Sequence, residues 1–387
     1  MANSARTATT REVARLNQST LVETLRRHGP MTLQQLRTVT GLSSATVTRL
    51  VDRLRQDGVV VNQGVDRSTG GRPPQLVAFN PRRYSVVGLD VGGRTIEGAV
   101  VDLEGRILHQ YVVPTHAEQP SGHGDDALEV FDRIAATADV LIKHATRLKC
   151  PARAIGVGVP GAVRSDSDVV QFAPSLGWWD MPLRSMLAER AQLPVVVEND
   201  VNLLAVAEHR HGAGRAADDL LVLALGTGVG AALILDGRLY RGHQGGAGEV
   251  GYYLLDPTSL DREWPGFGDL ESRVADWQQR MRALAGDDLD RIRALLVDGD
   301  DTEGLLDELA ALVSLVCANS ASLLNPRRIV VGGALGRAIG DALVPRVARA
   351  LTNRVPWQPE FAVARVERAE LLGAAQLATE LAAHSDS

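Results

Sequence analysis

The sequence predicts an α/β protein with a small basic N-terminal domain of three helices and a hairpin, followed by a larger acidic body of strands and helices. Two observations predict this division. Residues 1–84 carry 13 Arg, no Lys and five acidic residues, a net charge of +8, whereas the rest of the 387-residue chain carries 28 basic and 42 acidic residues, a net charge of −14. Helical periodicity dominates up to residue 57, and apolar runs that end in glycine turns dominate from Tyr84 onward.

The composition excludes several classes of protein. The longest apolar stretches, 220–225 and 231–235, have the length of strands and are far too short to cross a bilayer, so no membrane partner is expected. Residues 1–11 are polar, unlike a signal peptide. Cys150 and Cys317 are too few for a disulfide framework or a thiolate metal site. We therefore expect a cytoplasmic protein in a reducing environment.

The first two helices of the basic segment are short. The first is predicted over residues 16–28, where Gly29 and Pro30 follow. The second contains the apolar residues Leu33, Leu36 and Val39 and ends at Gly41. A tight turn with glycine then leads into a third helix, which is the arrangement of a helix-turn-helix.

The third helix is predicted over residues 44–57, with Ser43 as its N-cap. Its apolar stripe consists of Val47, Leu50, Val51 and Leu54. With that stripe facing inward, small and hydrogen-bonding residues are left on the outer face, where they can approach bases and phosphates in a major groove. These candidate DNA-binding residues are Ser44, Ala45, Thr46, Thr48 and Arg49.

A hairpin, residues 59–62 and 75–79, follows at the position of a wing. Its turn contains two glycines, then Arg72 and two prolines, and such a loop can place Arg72 in a narrow minor groove. A helical bundle for protein contacts is the alternative. The capped third helix, the wing and the charge of +8 together favour DNA binding.

The acidic body begins with a strand at 85–89 that ends in Asp90, Gly92 and Gly93, and a second strand returns from residue 95. Glycines let backbone N–H groups approach an anion, and a carboxylate can hold hydrated Mg²⁺. The pattern is therefore typical of a phosphate loop, although ordinary hairpin turns share it.

Two further glycine turns strengthen this interpretation. One joins the strands 222–225 and 231–235 and contains Thr227 and Gly228, so that two such loops can grip opposite ends of a polyphosphate. The other, Gly332 and Gly333, follows a strand and opens a helix, where its backbone can lie against an adenosine.

Carboxylates and amides that suit sugar hydroxyls occur between and after these turns. Asp200 lies where a strand runs into the helix 201–211, and is either the helix N-cap or a general base for a sugar hydroxyl that Asn199 orients. Glu249 follows in a glycine-rich segment, and Glu271 lies further along.

Together these blocks resemble the ROK family (repressors, open reading frames and kinases) over nearly the whole chain. The resemblance rests on the helix-turn-helix and on motifs in one order: Gly70-Gly71-Arg72-Pro73, Asp90-Val91-Gly92-Gly93, Glu198-Asn199-Asp200, Gly226-Thr227-Gly228-Val229-Gly230, Ala247-Gly248-Glu249-Val250-Gly251, Gly332-Gly333 and Leu371-Leu372-Gly373-Ala374-Ala375. It implies a winged helix-turn-helix over 1–82 and a two-lobed actin-like sugar-kinase fold over 83–387. Lobe 1 would comprise about 83–200 with the helix 369–385, and lobe 2 about 201–368.

Because family kinases lack a DNA-binding head, the resemblance implies a repressor that binds double-stranded operator DNA and senses a sugar in the cleft between the lobes. The implied sugar-binding residues are Asn199, Asp200, Glu249, Tyr252 and Glu271. The glycine loops would then be vestigial, and a homodimer or homotetramer is expected. Xylose, glucose, N-acetylglucosamine and phosphorylated or oligomeric sugars all remain open as effectors.

The alternative is an ATP-dependent sugar kinase with an added head, which Asp90, Asp200 and Thr227 keep open. A purely structural interaction protein would leave both the basic head and the carboxylates unexplained. Where the family usually has Thr after the first double glycine, this sequence has the bulky Arg94.

The sequence also departs from the family at its structural zinc. The positions of the family's metal ligands, one His and three Cys, read Tyr252, Arg262, Trp264 and Asp269. We therefore expect no zinc and no other cofactor, with ATP and Mg²⁺ only if kinase activity is retained. Packing around Tyr252, Trp264 and Phe267 is expected to replace the metal.

Overall fold

A computed structural model describes residues 10–66, 73–116, 126–167, 169–226, 228–263, 268–298 and 303–385. The chain forms two compact units, Met1–Tyr84 with Asp102–Glu104, and Ser85–Val101 with Gly105–Ser387. Six residues named above lie outside the described residues: Gly70, Gly71, Arg72, Thr227, Trp264 and Phe267.

The first unit is a winged helix-turn-helix, as the sequence predicts. Its helices and strands are α1 (Thr10–His28), β1 (Met31–Thr32), α2 (Leu33–Thr40), α3 (Ser44–Gln56), β2 (Val60–Val65) and β3 (Gln75–Phe79). The strands form an antiparallel sheet in the order β1-β3-β2, and the wing is the hairpin of β2 and β3.

Local signals explain the turn between α2 and α3. Gly41 ends α2 with φ of 69°, a left-handed conformation that glycine adopts without strain. The Ser43 hydroxyl accepts a hydrogen bond from the backbone N–H of Thr46 at 3.2 Å, which confirms the predicted N-cap of α3. The predicted apolar stripe of α3 is buried in full.

One boundary predicted for the first unit was wrong. Helix α1 begins at Thr10, six residues before the predicted start. Helix α2 ends at Gly41 as predicted, with Leu36 buried in the core and Val39 51% exposed.

The second unit contains two sheets of the same design. The first half comprises β4 (Ser85–Val91), β5 (Thr95–Asp102), β6 (Ile107–Pro114), α4 (Asp126–Arg147), β7 (Ala152–Val159), β8 (Ala162–Val163), β9 (Val170–Ala173), β10 (Trp178–Met181), α5 (Leu183–Ala191), β11 (Val195–Asn199) and α6 (Asp200–His211). The second half comprises β12 (Leu220–Leu225), β13 (Val229–Leu235), β14 (Arg238–Tyr240), α7 (Asp269–Ala285), α8 (Leu289–Asp298), α9 (Glu303–Leu324), β15 (Arg328–Gly332), α10 (Gly333–Leu351), β16 (Glu360–Val363) and α11 (Ala369–Ser385).

The strand orders are β11-β7-β4-β5-β6 and β14-β13-β12-β15-β16. In each sheet, the three strands that come first in the sequence are neighbours. Two later strands then pair in parallel beyond the first of these, β7 and β11 next to β4, and β15 and β16 next to β12. This duplicated arrangement agrees with the predicted two-lobed fold. A small antiparallel sheet of β8, β9 and β10 accompanies the first half.

Helix α11 packs against β4, β7 and α6 at very short range. A Cβ atom at Gly156 would lie 2.0 Å from the backbone oxygen of Ala374, and one at Gly373 would lie 2.2 Å from that of Leu203. Glycine at both positions therefore lets the helix contact the sheet and α6 directly.

Helix α9 is long and apolar enough to cross a membrane by length and composition, and half of that stretch is buried. Its buried residues, which include Leu306, Leu309 and Val313, belong to the core of the second sheet. This is the environment of a core helix in a folded domain.

Candidate functional site

A cavity of about 620 Å³ in the second unit is lined by both halves. Its lining includes all five residues predicted to bind sugar: Asn199, Asp200, Glu249, Tyr252 and Glu271. Gly228 and Gly333 from the second and third glycine turns also line it. Glu370, in the first turn of α11, is a lining residue that the sequence analysis did not identify.

The N-cap of α6 is Asn199, so the alternative in which Asp200 caps this helix was wrong. The Asn199 Oδ1 accepts from the backbone N–H groups of Val201 (2.9 Å) and Asn202 (3.1 Å), and its amide donates to the Gly161 carbonyl at 3.1 Å. Asn199 is thereby fixed, and Asp200 becomes the first residue of the helix, at the cavity wall.

A buried carboxylate supports this corner of the cavity. Glu198, 4% exposed, accepts hydrogen bonds from the backbone N–H of Asn199 (3.0 Å) and from the side-chain amide of Asn202 (2.8 Å). Its other oxygen accepts from Arg241 Nε at 2.6 Å. A buried charge that is fully paired holds its neighbours in place, so Glu198 positions Asn199 rather than contacting a ligand.

Asp90, Asp200 and Glu370 interact through their charges. Burial, followed by the charges of Glu370, Asp200 and Glu97, raises the pKa of Asp90 from 3.8 to about 8. Burial likewise raises the pKa of Asp200 to about 7, with Glu370 and Glu249 contributing, against an opposing hydrogen bond from the Val201 N–H. A carboxyl group with a pKa near 7 can accept a proton from a hydroxyl or hydrogen-bond to it in either form.

Two more carboxyl groups in the lining, Glu249 and Glu271, interact through their charges. Burial raises the pKa of Glu249, and burial together with the charge of Glu249 raises that of Glu271. A Cβ atom at Gly228 would lie 2.7 Å from Glu271 Oε1, and one at Gly251 would lie 3.0 Å from its Oε2. The glycines thus leave the space that Glu271 occupies.

The first glycine turn lies outside this lining. Asp90, Gly92 and Gly93 are not among the described residues that line the cavity. The carbonyl of Gly92 accepts from the buried Thr115 hydroxyl at 2.6 Å. A Cβ atom at Gly93 would be 3.4 Å from Ser175 Cβ.

Arg94, which stands where the family usually has Thr, is not among the described residues that line the cavity. Its guanidinium lies 3.4 Å from Asp287, in the connection between α7 and α8, and 86% of its side chain is exposed. It therefore joins the two halves of the unit at the surface.

The third glycine turn opens α10, as predicted. Gly333 has φ of 75°, and a Cβ atom there would lie 2.4 Å from the carbonyl oxygen of Leu225. Gly332 is the N-cap residue and lies behind the lining. The start of α10 is thus held against the end of β12, beside the second glycine turn.

The segment at the family's zinc positions is held by a buried aspartate. Asp269 Oδ2 accepts from the Leu255 N–H at 2.8 Å and from the Ser259 hydroxyl, and Oδ1 accepts from Arg273 Nε at 2.8 Å. Although burial alone raises the pKa of Asp269, bonds from Arg273, Ser259 and the Leu255 N–H bring it below its usual range.

The residues at these positions therefore do not suit zinc, since Asp269 is already committed to three donors and Arg262 repels a cation. Among the described residues, no group of three or more His, Cys, Asp or Glu side chains is placed to hold a metal ion. The expectation that Tyr252 is a packing centre was wrong, because Tyr252 is 50% exposed and lines the cavity.

In the first unit, the outer face of α3 is open. Ser44, Ala45, Thr48 and Arg49 are exposed, and Thr46 is half-buried with its hydroxyl 2.9 Å from that of Ser43. A shallow groove runs along this face, and Arg53, which was not predicted from the sequence, lines it together with Arg49. A cation one helical turn after Arg49 was the available signal for it.

The chain resembles known regulators and kinases. Residues 86–381 match the profile of the ROK family, and residues 5–63 match that of the MarR family. A xylose repressor from Bacillus subtilis is 33% identical over 252 residues, 63% of this chain and 62% of the repressor. A glucokinase from Streptomyces coelicolor is 30% identical over 76% of this chain and 97% of the kinase.

The fold is also that of a solved regulator. A ROK family transcriptional regulator, described as a homolog of the Escherichia coli MLC protein, superimposes with a TM-score of 0.77 over 96% of both chains at 20% identity. The match includes the length of the N-terminal unit, which the alignment with the kinase does not cover in full. On the family match and the duplicated fold, this chain belongs to the ROK family.

Proposed function

We propose that the chain is a transcriptional repressor whose binding to operator DNA is weakened by a sugar in the cavity of its second unit. The observation that carries this proposal is the convergence of Asp200, Glu249, Tyr252 and Glu271 on one cavity in a chain that also has a winged helix-turn-helix. Carboxylates are common partners of sugar hydroxyls, because each oxygen accepts from neighbouring OH groups.

The proposed assembly is a homodimer or homotetramer, acting on double-stranded DNA. Two heads bind half-sites about 34 Å apart, one helical turn, so a shift of the heads on sugar binding would weaken both contacts together. No cofactor is proposed. The repressor names of relatives and the open face of α3 support a regulator in preference to an enzyme.

A matched pair of variants tests the DNA-binding face. Arg49→Ala removes a cation from the outer face of α3, and Arg27→Ala removes one from α1, where the Arg27 side chain is 71% exposed. We expect Arg49→Ala to weaken binding to the DNA upstream of the protein's own gene about tenfold or more, because a base or phosphate contact contributes roughly 1–3 kcal/mol. Arg27→Ala should change it less than threefold in the same anisotropy titration. Equal effects would contradict the assignment of α3.

The second candidate function is sugar phosphorylation, which the identity with a glucokinase over 97% of that enzyme supports. Incubation with ATP, Mg²⁺ and a panel of hexoses and pentoses tests it. Turnover at enzyme-like rates would replace the repressor-only proposal with a bifunctional one.

A further inference from the structure

Three helices begin at the cavity, and the first turn of each supplies a carboxyl group to its lining. Asp200 lies in the first turn of α6, Glu271 in that of α7 and Glu370 in that of α11. A helix N-terminus carries about half a positive charge and is a common site for phosphate. In this cavity, each of these three positions already holds a carboxyl group of the protein.

The rest of the lining does not compensate for this charge. Glu249 adds a fourth carboxylate, and among the described residues that line the cavity none is Lys, Arg or His. Two nearby guanidinium groups are paired with carboxylates outside the lining: Arg241 with Glu198 at 2.6 Å, and Arg368 with Glu97 at 2.6 Å.

Helix α10 is the exception, since its first turn has no acidic residue and Gly333 and Ala334 line the cavity. Its half charge is small beside four carboxyl groups, and the charge of Glu370 is one of the causes that raise the pKa of Asp200. A phosphate dianion would therefore meet net repulsion, whereas a neutral sugar would meet acceptors for its hydroxyl groups.

We propose that Glu370 determines the specificity of the cavity: together with Asp200 it excludes a phosphoryl group, so that the effector is an unphosphorylated sugar. This inference rests on the proposed function and narrows it to one class of ligand. Glu370 suits the role because it is half-buried, lines the cavity and lies in the first turn of α11.

The test compares each sugar with its own phosphate ester on the full-length protein by titration calorimetry. The probes are glucose against glucose 6-phosphate and N-acetylglucosamine against N-acetylglucosamine 6-phosphate, with xylose as a pentose. We expect at least one neutral sugar to bind ten times more tightly than its ester. Glu370→Gln should reduce this preference about tenfold, because it removes the charge and keeps the shape.

Glu367→Gln is the control, since Glu367 is exposed, lies three residues earlier and is not a lining residue; it should leave the ratio within twofold. Glu370→Ala provides a second variant if the amide disturbs folding. An ester that binds the native protein as tightly as its parent sugar, or a ratio unchanged in both Glu370 variants, would overturn the inference.

The same samples separate this inference from the proposed function. If a phosphate ester binds preferentially and releases operator DNA, the inference fails and the proposed function stands. If neutral sugars bind in preference to their esters without changing DNA affinity, the inference stands and the proposed function fails.

Discussion

The two halves of the second unit share a strand order and differ at the glycine turn after their first strand. In the first half, the turn after β4 is held by Thr115, packs beside Ser175 and sends Arg94 to Asp287. In the second half, Gly226 and Gly228 of the turn after β12 line the cavity. Both turns accept a hydrogen bond from a protein side chain, Thr115 in the first and Gln278 in the second, but only the second faces the described cavity where a ligand can bind.

This difference teaches how a duplicated fold can separate sensing from catalysis. Transfer of a phosphoryl group needs both ends of a polyphosphate to be held, whereas recognition of a sugar needs hydrogen-bonding groups around one pocket. In this chain the first turn lies outside the lining of the pocket, and the hydrogen-bonding groups around the pocket are present. The family resemblance gives the fold, and the function has to be argued from this site.

The largest effect is expected at Asp269, which lies in the second half. Asp269→Ala removes a buried carboxylate that accepts from the Leu255 N–H, the Ser259 hydroxyl and Arg273, and should cost about 3 kcal/mol or more in the free energy of unfolding. Urea unfolding measures this. Arg280→Ala on the same helix breaks an exposed ion pair with Glu308 and should cost less than about 1 kcal/mol. Similar costs would show that Asp269 does not hold this segment in place.

A smaller effect on the free energy of unfolding is expected at Asp90, in the first half of the second unit. This effect depends on pH. The pKa of Asp90 is raised from 3.8 to about 8, so the folded protein holds a proton that the unfolded chain releases above pH 4. Stability should therefore fall as pH rises from 5 to 8, by roughly 2–3 kcal/mol more in the native protein than in Asp90→Asn.

Thermal unfolding across this pH range measures the difference. Asp287→Asn is the control, because bonds from Arg282 hold the pKa of Asp287 below its usual range and this exposed group stays ionised throughout. If the native protein and Asp90→Asn showed parallel pH profiles, the assignment of a buried, protonated Asp90 would be wrong.

The smallest effect comes from the same substitution in both turns. Gly228→Ala brings a Cβ atom within 2.7 Å of Glu271, so the carboxylate must move and sugar affinity should fall about tenfold. Gly93→Ala makes an ordinary contact of 3.4 Å with Ser175 and should leave sugar affinity within twofold. Calorimetric titration with the effector sugar compares them. A larger loss from Gly93→Ala would reverse the roles of the two turns.

Local pattern was enough to predict much of the fold. The stripe of α3 repeats with the period of a helix, and Ser43 is followed by free N–H groups that its hydroxyl can cap, so both were predictable from neighbours in sequence. The position of the α6 N-cap could not be predicted in this way. Asn199 and Asp200 are both good caps, and the contact of Asn199 with the distant Gly161 selects between them.

The parts of the site that the sequence could not predict depend on distant segments. Glu370 precedes the recognised Leu371-Leu372-Gly373 motif by one residue, yet it reaches the cavity because α11 packs on the first sheet and α6. Asp269 stands at a position where the family usually has a metal ligand. Its hydrogen-bond donors Ser259 and the Leu255 N–H lie ten or more residues away, so these contacts were visible in the structure alone.

The central claim is that a sugar in the cavity changes the affinity of the N-terminal unit for DNA. It is tested most directly by anisotropy titration of the full-length protein on its upstream DNA, with and without a saturating sugar, in native and Asp200→Asn forms. The account predicts that sugar raises the dissociation constant of the native protein tenfold or more. Asp200→Asn should bind DNA normally and lose this response. A native protein that binds the sugar by calorimetry while its DNA affinity stays unchanged would contradict the account.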